Sequence, residues 1–78
     1  MSSAIDRLKE AATRAVEVES REEFVHVSIG IHSHGVSVAA VNNLNGRAKR
    51  KIVPWLELQQ AVANTLIFAI EDSVKAVR

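Results

Sequence analysis

Three groups of residues in this 78-residue chain have side chains that could do chemistry. The first is His32-Ser33-His34. Two imidazoles flanking one residue can chelate zinc or copper when the backbone between them is extended. Here a turn is expected between them, no cysteine is present and no acidic residue is close in sequence. His26 shares a strand face with His32, but six residues at about 3.3 Å each put it roughly 20 Å away, too far for a shared metal. The expectation is therefore of exposed turn histidines without a metal or cofactor.

The second group is Arg47, Lys49, Arg50 and Lys51, the densest charge cluster. Closely spaced cations can hold phosphates in a salt-dependent way. They can equally meet an acidic protein surface, or protect the edge of a sheet. No aromatic residue interleaves them, which disfavours stacking on single-stranded bases. The third group is the pair of acidic doublets, Glu22-Glu23 and Glu71-Asp72. Adjacent positions on a helix diverge by about 100°, so Glu71 and Asp72 do not converge on one substrate. No Gly-x-Ser-x-Gly turn and no phosphate-cradling glycine loop occur. The sequence nominates no catalytic residue, and a non-enzymatic protein is expected.

Whatever these residues do, one small domain must position them. Formal net charge is +1 and charged residues make up 24%, so no global field recruits nucleic acid or membrane. Apolar residues make up 47%, with only Phe24, Trp55 and Phe68 aromatic, so Val, Ile, Leu and Ala must build the core. A chain this short is marginally stable alone. Without cysteine it lacks the disulfide staple, which leaves oligomerisation. The first residues lack the apolar run of a signal peptide. The most apolar stretch, residues 61–70, is half the length of a membrane span. A cytoplasmic protein with no membrane association is expected.

The patterning predicts α-β-β-β-α over residues 1–78. Ser3 and Asp6 form a capping-box-like start for the first helix. Ile5, Leu8, Ala12, Ala15 and Val16 recur at helical spacing and read as its sheet-facing stripe, while Arg7, Glu10, Arg14 and Glu17 read as solvated. Val25, Val27, Ile29 and Ile31 alternate with His26, Ser28, Gly30 and His32, the pattern of a strand with one buried face. A second strand runs from Val36 to Asn42. Placing Ile31 opposite Val36 aligns Ile29 with Val38 and Val27 with Ala40, apolar against apolar. Asn45-Gly46 is a hairpin signal, the segment from Arg47 to Val53 is a third strand with an edge-like charge, and Pro54 suits the first position of a helix. The expected fold is α+β: a three-stranded antiparallel meander with both helices on one face. The other face then shows small, half-polar residues and offers a second contact surface.

This element order resembles that of the double-stranded-RNA-binding domain. That family carries a lysine cluster at the start of its final helix. Here the corresponding stretch, Pro54-Trp55-Leu56-Glu57-Leu58-Gln59-Gln60, has no lysine, and the basic residues come before the helix. The resemblance is one of topology, and no family's binding residues carry over.

Read as one helix, residues 54–78 have more apolar surface than a single core needs. Trp55, Val62, Leu66, Ala69, Ile70, Ser73 and Val77 share the central face. Leu56, Ile67 and Phe68 lie off it, with Phe68 nearly opposite. Surplus apolar surface marks association sites, and a two-fold homodimer is the commonest solution. The sequence thus points to an interaction module, homodimeric through Leu56, Ile67 and Phe68. As a small accessory or inhibitory factor, it would act on a larger protein. The alternative is nucleic-acid binding through Arg47, Lys49, Arg50 and Lys51.

Overall fold

The computed structural model describes residues 3–78. The elements are α1 (Ala4–Arg21), β1 (Val25–His32), β2 (Gly35–Asn42), β3 (Ala48–Pro54), α2 (Trp55–Gln60) and α3 (Thr65–Val77). The strands form one antiparallel sheet in the order β1-β2-β3, and the helices pack on one of its faces. The expected α+β meander is what the chain forms. None of the described helices is long and apolar enough to cross a membrane.

The β1–β2 register is the one that hydrophobic matching demanded: Ile31 faces Val36, Ile29 faces Val38 and Val27 faces Ala40. Across β2, Val36 meets Val53. Val36, Val38, Ala40 and Val53 are buried under Leu66, Ile70, Val74 and Val77 of α3 and Leu58 of α2. Because side chains alternate along a strand, a one-residue slip would have put Ser37 into this layer.

The β2–β3 turn also ends α3. Gly46 takes a positive φ of 74°, which a side chain would oppose. Asn42 Oδ1 accepts from the amides of Leu44 and Asn45 at 2.9 and 3.3 Å. Asn42 Nδ2 and Asn45 Nδ2 both donate to the carbonyl of Val77 at 3.0 Å. The asparagines thus close the hairpin and satisfy a carbonyl that a helix end leaves unpaired.

Two expectations are corrected. The stretch read as one helix from Pro54 forms two, α2 and α3, broken at residues 61–64, and Pro54 ends β3 as the residue before α2 instead of opening the helix. Asn64 caps α3 by accepting from the amide of Leu66 at 3.1 Å, an arrangement Asn favours at helix starts. Val62, placed by periodicity on the core face, is fully exposed in this break. The second correction concerns α1. Its capping box is present, with Ser3 Oγ accepting from Asp6 N at 3.1 Å. Its buried residues, however, are Arg7, Ala11, Ala15 and Val18.

One residue explains both corrections. Arg7, expected in solvent, is only 7% exposed. Its guanidinium donates to the carbonyls of Leu58 (2.7 Å), Ala61 (2.6 Å), Ala63 (3.2 Å) and Val62 (3.4 Å). These oxygens lie at the end of α2 and in the break, where the helical ladder cannot supply their partners. A cation at a helix C-terminus also suits the macrodipole. Holding Arg7 inward rolls α1 about its axis and turns Ile5, Ala12 and Val16 out.

Candidate interaction surfaces

The last-helix residues expected to form a partner interface are placed as follows. Leu56, on α2, is 63% exposed and Phe68, on α3, is 53% exposed. Ile67 is half-buried and packs against the core. It lines a shallow groove with Glu10, Thr13, Arg14 and Glu17 of α1. Phe68 lies on a different side of α3. One turn on, Asp72 reaches Lys51 of β3 at 3.8 Å, so the Phe68 flank faces the β3 edge. The structure thus separates Ile67 from Phe68, and puts Leu56 on another helix.

The basic cluster is divided by the pleat of β3. Lys49 and Lys51 pair with Ala40 and Val38, on the helix-bearing side of the sheet. Arg50 pairs with Ala39 and projects from the open face. Arg47 Nη1 donates to the carbonyl of Arg78 at 2.9 Å, and Lys51 faces Asp72. The four cations line a strand edge and do not share a single face.

The histidines sit at the other end of the open face. His32 Nε2 lies 2.8 Å from Ser37 Oγ, and the His32 and His34 rings stack with centroids 5.7 Å apart. Gly30 makes room for this pair: a Cβ there would meet Ser37 Oγ at 2.7 Å. Trp55 Nε1 donates to the carbonyl of His32 at 3.0 Å, tying the turn to α2. A Ser–His contact can activate a hydroxyl when a third group orients the ring. Among the described residues no carboxylate bonds His32, and Ser37 is buried. His26 lies apart, its Nδ1 3.4 Å from Glu19. No cluster of three or more His, Asp or Glu side chains suited to a metal occurs among the described residues.

Between α1 and α3 runs a groove floored by Val18 and Val74 and rimmed by Arg14, Arg21, Lys75 and Arg78. Its cations are largely engaged within the chain. Arg14 bonds Glu71 at 2.8 Å, and Arg78 bonds Glu22 at 2.8 and 3.2 Å. The Arg78 hydrogen bond holds the Glu22 carboxyl below the usual carboxylate range.

The most exposed large apolar residues on the described helices and strands lie elsewhere, toward the outer edge of β1. Ile5, Val16 and Ile31 are 65%, 69% and 68% exposed. Glu19 fixes where this surface faces. Its carboxylate accepts from the outward amide of Val27 at 3.3 Å, so its flank of α1 overhangs the β1 edge. At about 100° per residue, Ala12, Ile5 and Val16 fall within roughly 60° of Glu19. Ile31 is on the helix side of β1, since its partner Val36 is core. The sequence contained this stripe but assigned it to the core. The one signal that could have reassigned it was the second small-residue arc through Ala4, Ala11, Ala15 and Val18.

Comparison with family models, with curated proteins and with solved structures returns no match.

Proposed function

We propose that the chain is a non-enzymatic interaction module that works as a homodimer and acts by binding a larger protein. The observation that carries this reading is the amount of apolar surface left outside a small core. Among the described residues ten large hydrophobic side chains are substantially exposed, including Ile5, Val16, Ile31, Leu56 and Phe68. Exposed apolar patches of this kind mark association sites. Covering them also supplies the stabilisation that a cysteine-free domain of this size otherwise lacks. The division of the basic cluster between two faces favours edge protection for those residues over a phosphate-binding patch.

Sedimentation equilibrium across a concentration series tests the reading. A species of twice 8.5 kDa supports it, and one that stays at 8.5 kDa at the highest concentration overturns it. Capture of a specific larger protein from native lysate then tests the second half.

A further inference from the structure

Resting on the homodimer reading, we infer that the mating surface is the outer flank of α1 over the β1 edge, and that its occupant is the same flank of a second copy. The two α1 helices pack antiparallel about a two-fold axis at Ala12. Leu8 of each copy then meets Val16 of the other, and Ile5 lies along the methylene stem of Glu19. Ile31 of each copy closes the seam from below.

Four observations support this arrangement. First, the flank is apolar along its length. Ile5, Ala12 and Val16 are exposed and Leu8 is half-buried, with Glu19 near its centre line and Lys9 on its rim beside Val16. That carboxylate is already engaged by Val27 N and His26. Second, the flank is self-complementary. Its smallest residue, Ala12, lies midway between Leu8 and Val16. A two-fold axis there brings small against small where the helices cross and lets their axes approach to about 8–10 Å. Third, the size is sufficient. The 18 residues of α1 span about 27 Å at 1.5 Å each, and a helix layer on a sheet layer is about 20 Å deep. The strip is roughly 540 Å² per copy and 1,100 Å² for two, above the approximately 1,000 Å² that a specific interface needs.

Fourth, the opposite end of the molecule is unsuited to the same role. On the β3 side Phe68 is followed one turn on by the Asp72–Lys51 pair, so pairing two copies there desolvates charged groups around a single exposed aromatic. The overhang also settles the mode of contact. With α1 and Glu19 over the β1 edge, the helices meet first and Ile31 carries the seam down onto the sheet layer.

Sedimentation equilibrium of three proteins tests the inference: the natural chain, Ala12→Arg and Phe68→Arg. Ala12 is exposed and Arg is a good helix former, so Ala12→Arg keeps the fold, which far-UV circular dichroism and the melting midpoint verify. Two guanidinium groups meeting on the axis raise the dissociation constant by more than about 100-fold. The expected result is a dimeric natural chain, a monomeric Ala12→Arg and a dimeric Phe68→Arg. A dimer that survives Ala12→Arg and is lost in Phe68→Arg overturns the α1 seam and leaves the homodimer standing. A natural chain that is monomeric throughout overturns both, and open-ended oligomers overturn the two-fold arrangement. If Ala12→Arg fails to fold, Val16→Glu takes its place with the same expectations.

Discussion

On its inner side α1 is tied to the rest of the molecule by polar bonds; on its outer side it presents hydrocarbon. Inward, Arg7 holds four carbonyls of α2 and the break after it. Arg14 bonds Glu71, and Asn64 Nδ2 donates to the Arg7 carbonyl and to Glu10 at 3.0 and 3.2 Å. Outward stand Ile5, Ala12 and Val16, with only Glu19 engaging the sheet edge. A helix placed in two dimensions by directional bonds need not use its most apolar stripe against the core. The directional bonds decide the roll, because a buried guanidinium stripped of its acceptors costs more than a few exposed aliphatic side chains. The chain handles its two strand edges by the same division. The β3 edge is defended by charge. The β1 edge is covered by a helix, which moves the exposed apolar surface outward onto that helix.

Breaking the inner side has the largest expected effect. Arg7→Met leaves four carbonyls short of donors and lowers stability by about 3 kcal/mol. In a domain of this size that is a melting midpoint lower by roughly 15 °C. Arg7→Lys recovers only part of the loss, since one ammonium cannot span the four acceptors that the planar fork reaches. Asn64→Ala removes the α3 cap together with two bonds to α1, and is expected to cost about 1–2 kcal/mol by urea denaturation. Glu71→Gln, which discharges a half-exposed ion pair to Arg14, is expected to change stability by less than about 1 kcal/mol.

The smallest effect is one of pH. Arg78 lowers the pKa of Glu22 through a hydrogen bond. The carboxylate is therefore favoured in the folded state. Its contribution is present above the ordinary glutamate value, about 4.3, and is lost as pH falls through the lowered folded value. Glu22→Gln should flatten the acid limb of the stability profile in that window and leave stability above it with no pH slope of its own from this site. An unchanged acid limb would remove this link between the ends of α1 and α3.

The sheet was legible because each of its signals is local. Period-two alternation in residues 25–31 fixed the register against β2, and Asn45-Gly46 marked the turn. The first helix start was legible from Ser3 and Asp6 for the same reason. The roll of α1 was not. Its alanines at 4, 11, 12 and 15 fit two overlapping arcs, and the choice between them rests on Arg7 contacts 51 to 56 residues away. Those contacts are to main-chain carbonyls, which leave no mark on the identity of the acceptor residues. The break at residues 61–64 was hidden for a related reason. Apolar periodicity runs through it, and only Asn64 signals a new start. As for interaction residues, Leu56, Ile67 and Phe68 were judged on one continuous helix; the break puts Leu56 on α2, while Ile67 and Phe68, adjacent on α3, diverge by about 100° as neighbours on any helix do.

The central claim is that the outer flank of α1 meets itself at Ala12. The chain has no cysteine, so an introduced one reports without background. Helices crossing at Ala12 bring its two Cα atoms to roughly the 4.4–6.8 Å that a disulfide spans. Ala12→Cys under mild oxidation at micromolar concentration should run as a covalent dimer on a non-reducing gel, and Leu56→Cys as a monomer. An Ala12→Cys chain that stays monomeric while Leu56→Cys cross-links would contradict the account.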